Sequence, residues 1–326
     1  MYLIDPKILE VFTVIEHINV GTGIICNMIL LYLVRKFSRA SMGTYKYLLI
    51  IFASYDIFLT CVHGTINHQV VIVNITTFAA NLTSFYCASF TVPFTLMIIH
   101  FLYRYWAIKC PDRIILFSQR PFMCLCASFS ASGFVTWYCL CVFGLTGAPT
   151  DASTIAARAE YFRRYNRNVT DSYLIAEHWK DGHFNLRPAL VLLCFDSIIF
   201  GCITLASTLC ILTLHHIAKA QTISAYSKYL HQKLLKTLIA QTALPVVLVY
   251  IPYFCILTLP FLMIPDYGLT SACTAFNSAF PAVDAIIVIA LMKDYRVGLA
   301  SIVLRRTRRT TAVSSGGMQT TKGASK

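Results

Sequence analysis

The stretch "HFLYRYWAIKCP", residues 100–111, decides how the rest of the chain is read. Arg104 stands between Tyr103 and Tyr105 at the end of an apolar run, and Lys109, Arg113 and Arg120 follow. This pattern suits the end of a helix that crosses a bilayer. A long arginine side chain can snorkel to the headgroups, and tyrosines favour the interface. The rest of the chain agrees. Of its 326 residues, 57% are hydrophobic and only 13% are charged, with a mean hydropathy of +0.66. A soluble domain carries about 25% charged residues.

A spanning helix needs roughly 20 apolar residues. Seven such runs are expected, at 8–34, 45–66, 85–108, 122–145, 188–214, 234–263 and 269–292. Lipid cannot satisfy bare backbone amides, so the runs should be helical. The fold class is therefore an all-α membrane protein built as a seven-helix bundle. The first run lacks the leading basic stretch of a cleavable signal, so it should itself be the insertion signal. Most of the 13 cysteines fall within runs, where cysteine is usually a small apolar core residue. "CLC" occurs twice in the fourth run, but residues two apart point about 200° apart on a helix and chelate poorly.

Basic charge predicts the orientation. Of the 27 Lys and Arg, 20 lie in three connections and the tail from Lys293, all on one side. The net charge of +13 is then a cytoplasmic signal rather than a nucleic-acid one. The sequons at Asn74, Asn81 and Asn168 all fall on the other side, as glycosylation requires. The expected arrangement is a short extracellular N-terminus (1–7), a bundle (8–292), an amphipathic cytoplasmic helix (293–310) and a disordered tail (311–326). Val297, Ala300 and Leu304 share a face of that helix, which suits the anionic inner leaflet. The outer connection at 147–187 mixes charges and could form a short helix over the bundle or remain a solvated loop.

Ionisable groups inside spans are costly and point to function or to a structural pairing. Asn27, Asp56 and Asp284 lie eight, ten and nine residues from the basic residues that end their spans. At about 1.5 Å per residue, they share one inner layer. They could form a network that rearranges, or serve only as interhelical glue. An outer layer holds Glu16, His17, His63, Asp196 and Asn277 beside the aromatic residues Phe90, Phe94, Tyr253 and Phe254. An apolar cavity with a few polar groups suits a small ligand, although each residue could equally be a satisfied core group. Span six carries Pro245, Pro252 and Pro260, and span seven carries Pro281. Proline removes a backbone hydrogen bond, so Pro245, Pro252 and Pro281 are candidate hinges. No metal-ligand or nucleophile constellation appears, so neither cofactor nor enzyme is expected. The His215–His216 pair at an inner helix end reads as interfacial.

Specific stretches carry a resemblance. "HFLYRYWAI" (100–108), "LHQKLLKTLIAQTALPVVLVYIP" (230–252), "FPAVDAIIVIALMKDYR" (280–296) and "TYKYLLIIFASYDIF" (44–58) look like the nematode serpentine chemoreceptors of the Str class, which include the diacetyl receptor. The resemblance covers nearly the whole chain. It implies an odorant or other small-chemical receptor in sensory-neuron cilia, signalling through a heterotrimeric G protein, with arrestin and kinases as candidate partners at the tail. It makes His100, Arg104 and Tyr105 the switch that meets the G protein. Arg104 takes the place of the arginine in the Asp-Arg-Tyr motif of rhodopsin-like receptors, but Tyr103 replaces the acid. "FPAVD" departs from Asn-Pro-x-x-Tyr at both ends. Such receptors often staple the long outer loop to the third span. Cys87 has the right depth, but the loop has no cysteine; Cys273 is the other cysteine at that depth, so the two could be bridged or remain separate thiols. A transporter or ligand-gated channel is the alternative, disfavoured by the lack of an inverted repeat.

Overall fold

The computed structural model describes residues 6–38, 45–72, 76–145, 155–156, 158–159, 162–163, 179–180, 183–219, 225–262, 264 and 269–316. Its helices are α1 (Pro6–Phe37), α2 (Tyr45–Ile72), α3 (Thr76–Ser89), α4 (Thr91–Lys109), α5 (Arg120–Leu140), α6 (Leu186–Lys219), α7 (Ala225–Pro245), α8 (Ile251–Phe261), α9 (Leu269–Leu291) and α10 (Lys293–Gly316). Seven segments among the described residues are long and apolar enough to cross a membrane. They are Glu10–Phe37, Tyr45–Thr65, Thr83–Lys109, Arg120–Leu145, Leu186–Lys219, Leu235–Ile256 and Ser271–Leu291. Apolar run length therefore sets both the number and the place of the spans.

Span three is the central post. In its most apolar window 72% of residues are buried, against 17% in span four. Large hydrophobics such as Val14, Ile25, Leu193, Phe200 and Ile211 point outward instead. In lipid this costs nothing, because helices associate through packing and polar contacts rather than through exclusion of water. Spans one and seven lie side by side and run in the same direction. Asn19 Nδ2 donates to Ala275 O at 3.1 Å and to Ser278 Oγ at 2.9 Å, and Asn27 Nδ2 donates to Pro281 O at 2.8 Å.

Three spans depart from straight helices. Span three breaks at Phe90, between α3 and α4. Pro93 has no N–H to give to Ser89 O four residues back. The hydroxyl of Tyr55, from span two, donates to that carbonyl at 2.8 Å instead. The sequence suggested one continuous run at 85–108; the break comes from Pro93, a proline that reading did not weigh. Span six carries a wide π-helical turn over Val246–Tyr250, between Pro245 and Pro252. Span four ends in a second π turn, Cys141–Leu145.

Two short strands, β1 (Trp179–Lys180) and β2 (His183–Phe184), pair antiparallel and dock on span six. Trp179 Nε1 donates to Phe261 O at 3.1 Å, and the Phe184 ring stands edge-on to Phe261 at 5.5 Å. The rest of the expected loop structure at 147–187 lies largely outside the described residues. So do Asn74, Asn168 and the Asn81 side chain, although Asn81 itself falls in α3. At the opposite end, α10 continues to Gly316, six residues past the expected end of the tail helix. Gly298 lets it lie against α1, because an added Cβ would come within 2.7 Å of the Phe37 ring. Tyr295 meets Ser38 hydroxyl to hydroxyl at 3.0 Å. Burial pushes the Tyr295 hydroxyl up to about 12, so it stays neutral in that pair.

Candidate functional site

The break at Phe90 and the π turn of span six face each other across the bundle. Between them lies an enclosed aromatic pocket lined by Cys87, Phe90, Thr91 and Phe94 of span three, Trp137 of span four, Phe195 and Ile199 of span five, and Val249, Tyr250 and Tyr253 of span six. Its rings interlock. Trp137 and Phe195 have centroids 4.1 Å apart, and Phe90 stands edge-on to Tyr253 at 5.8 Å. The free volume is about 10 Å³, the scale of one water molecule. A ligand must therefore displace side chains on entering. Few of its lining residues are polar: Cys87, whose thiol lies 4.0 Å from the Tyr253 hydroxyl, and Thr91, Trp137 and Tyr250 beside them. Pro245 and Pro252 bracket the turn that aims Val249, Tyr250 and Tyr253 inward. A larger apolar space of about 840 Å³ opens sideways between spans four and five. It contains none of the residues expected to bind ligand.

The nine expected ligand residues thus divide. Phe90, Phe94 and Tyr253 line the pocket. Glu16, His63 and Asn277 are buried elsewhere, on spans one, two and seven. The Tyr86 hydroxyl and His63 Nδ1 are hydrogen-bonded at 2.6 Å, and His63 Nε2 faces Glu16 Oε2 at 3.8 Å. The side chains of His17 and Phe254 point outward from the bundle. His17 Nδ1 donates to Thr13 O of its own helix at 2.6 Å. Asp196 is half-buried and outside the pocket. Shared depth does not imply a shared face, and the helical phase of these residues separates them.

The inner layer comes together more closely. Asn27 Nδ2 also bonds Gly23 O at 3.0 Å. The carboxyl groups of Asp56 and Asp284 face each other, fully buried, and Gln241 Nε2 of span six donates to Asp284 Oδ2 at 3.2 Å. Spans one, two, six and seven therefore meet at one level through polar groups, one turn below Pro281. Cys273 turns away from Cys87 and donates to Pro252 O at 3.6 Å. Neither cysteine is in a disulfide, and Cys87 approaches Cys141 instead.

Arg104 is packed inside the protein; the residue is only 4% exposed. The guanidinium carbon lies 3.5 Å above the centre of the Tyr45 ring, with Tyr103 at 5.8 Å. His100 is fully buried, edge-on to Tyr45 and Phe52. Tyr105 turns the other way and packs on His216 of span five at 5.7 Å.

The family model described as "Serpentine type 7TM GPCR chemoreceptor Str" matches residues 12–300. The chain belongs to that family. It is similar to "Serpentine receptor class r-10" of Caenorhabditis briggsae, 23% identical over 288 residues, covering 83% of this chain and 84% of that one. It is equally similar to "G-protein coupled receptor str-33" of Caenorhabditis elegans, 23% identical over 309 residues and 87% and 88% of the two chains. "Serpentine receptor class J-38" of the same species is 22% identical over 74% and 78%. The Str chain is thus a GPCR-type chemosensory receptor embedded in the membrane, in a class that is not enzymatic.

Sequence reasoning about this Str receptor missed Tyr45, Tyr86, Trp137, Phe195 and Tyr250. All five are aromatic residues in greasy runs, where composition gives no cue to facing. Tyr45 had a weak signal, since it opens span two at the same interface as Arg104.

Proposed function

We propose that this receptor binds a small, uncharged, largely apolar molecule in the aromatic pocket and activates a heterotrimeric G protein on the side of the basic loops. The observation that carries this is the enclosed pocket between the break in span three and the π turn of span six. No charged side chain lines it. An ionic ligand would therefore be desolvated without a counter-charge, which is prohibitively costly. A molecule of few atoms with one carbonyl or hydroxyl meets the Tyr253, Tyr250 and Cys87 groups. Ligand entry parts Trp137 from Phe195 and loads the π turn. Span six then carries the change down to Gln241 and its bond with Asp284. Agonism requires that the ligand prefer the active state, because equal binding to both shifts nothing.

In this reading the N-terminus is outside, Asn74, Asn81 and Asn168 carry glycans, and α10 lies on the inner leaflet. The protein works at the plasma membrane of a sensory cilium, with tail hydroxyls open to kinases and arrestin. The test is a calcium reporter in cells expressing the full chain, screened with a panel of small volatiles and matched carboxylates and amines. Neutral compounds should be the agonists, and Arg104→Ala should abolish their response at equal surface expression. Responses confined to charged compounds, or an unaffected Arg104→Ala receptor, would overturn this assignment.

A further inference from the structure

The cationic group of Arg104 is buried without an acid. Tyr103 occupies the preceding position, and among the described residues no carboxylate pairs with the guanidinium. Its Nε and Nη2 are buried and make no hydrogen bond. What faces the charge is the Tyr45 ring, 3.5 Å from the guanidinium carbon. A cation over the face of an aromatic ring is held by the ring's quadrupole, and more strongly where water is excluded. Tyr45 is 1% exposed, so water is excluded there. Its own orientation is fixed by His100, edge-on at 5.8 Å, and by Tyr103 at 6.0 Å.

We propose that Tyr45 is a positioning residue that latches Arg104 in the resting receptor, and that activation exchanges its ring face for polar acceptors on the G protein. The proposal rests on the receptor reading above. The latch is suited to release. A guanidinium on a ring leaves donors unsatisfied, so a partner offering carbonyl or carboxylate oxygens competes well. A bidentate arginine–carboxylate pair would release less readily. The Tyr45 hydroxyl is buried without a partner, so the ring, not the hydroxyl, carries the effect.

The experiment uses the full receptor in the cell reporter at matched surface expression. Tyr45→Leu keeps an apolar side chain and removes the quadrupole; basal signalling should rise about fivefold, the effect of roughly 1 kcal/mol. Tyr45→Phe keeps the ring and should rescue the low basal level. A series of progressively fluorinated phenylalanines at position 45 keeps the shape while draining the ring face. Basal signalling should climb stepwise along it. A flat series, or Tyr45→Phe as active as Tyr45→Leu, overturns the latch. A second measurement needs no G protein. In purified receptor carrying 4-fluorophenylalanine at position 45, Arg104→Gln should move the fluorine resonance. A moved resonance with a silent reporter would support the latch and count against G-protein coupling. An unmoved resonance would overturn the latch whatever the reporter shows.

Discussion

Ser89 has a carbonyl that its own helix cannot satisfy, and the hydroxyl of Tyr55 on another span fills the gap. In lipid no water can substitute. Tyr55→Phe should therefore destabilise the receptor by about 1–3 kcal/mol, the cost of a buried unsatisfied acceptor. A thermal melt of purified protein reads this directly, and an unchanged midpoint would refute the role. Pocket residues act differently. Trp137→Phe should enlarge the pocket beside Phe195 and shift agonist preference toward bulkier molecules. Dose–response curves over a homologous series of neutral ligands would show it. Unmoved preferences would place the ligand elsewhere.

Among the elements, α10 depends on one close approach. Gly298 faces the Phe37 ring with no room for a Cβ, and Tyr295 adds its hydroxyl contact to Ser38. Gly298→Leu should lift the helix off α1 and expose the backbone beside Arg296. Limited tryptic cleavage after Arg296 should then run faster, and equal rates would argue that other contacts hold the helix. Span three shows the converse, a helix divided on purpose by Pro93. Pro93→Ala restores the donor for Ser89 O, straightens the turn and withdraws Phe90 from Tyr253. Loss of ligand sensitivity with preserved surface expression is the expected outcome in the reporter.

At the scale of the molecule, topology has a clean readout. Asn74→Gln, Asn81→Gln and Asn168→Gln should each remove one glycan's mass on a gel. Lack of any glycosylation would remove the sequons' support for this orientation. Much of the architecture was legible in the sequence because bilayer thickness imposes a length on each apolar run. Inner polar residues could be ranked by depth from Arg35, Lys46 and Lys293, and Asp56 and Asp284 do meet. Depth alone does not separate His17 and Phe254, whose side chains face outward, from Phe90 and Phe94, which line the pocket. Depth is one coordinate, and rotation about the helix axis, set by packing, is another. Tyr45 over Arg104 was illegible for a related reason: the residues are 59 positions apart and lie on different spans. The transporter or channel alternative is set aside by membership of the Str family.

The strand pair at Trp179 and Phe184 has a mechanical consequence. By gripping Phe261, it anchors one end of span six, while the π turn at Val246–Tyr250 softens the middle. A rod clamped at one end and weakened at its centre can only pivot beyond the weak point. The lever arm is α7, 21 residues long, or about 31 Å. A tilt of about 5° at Pro245 would then sweep its far tip through about 3 Å. On the proposed reading, a pocket that widened by the breadth of a small molecule would therefore have leverage enough to open a cleft at the far end of α7.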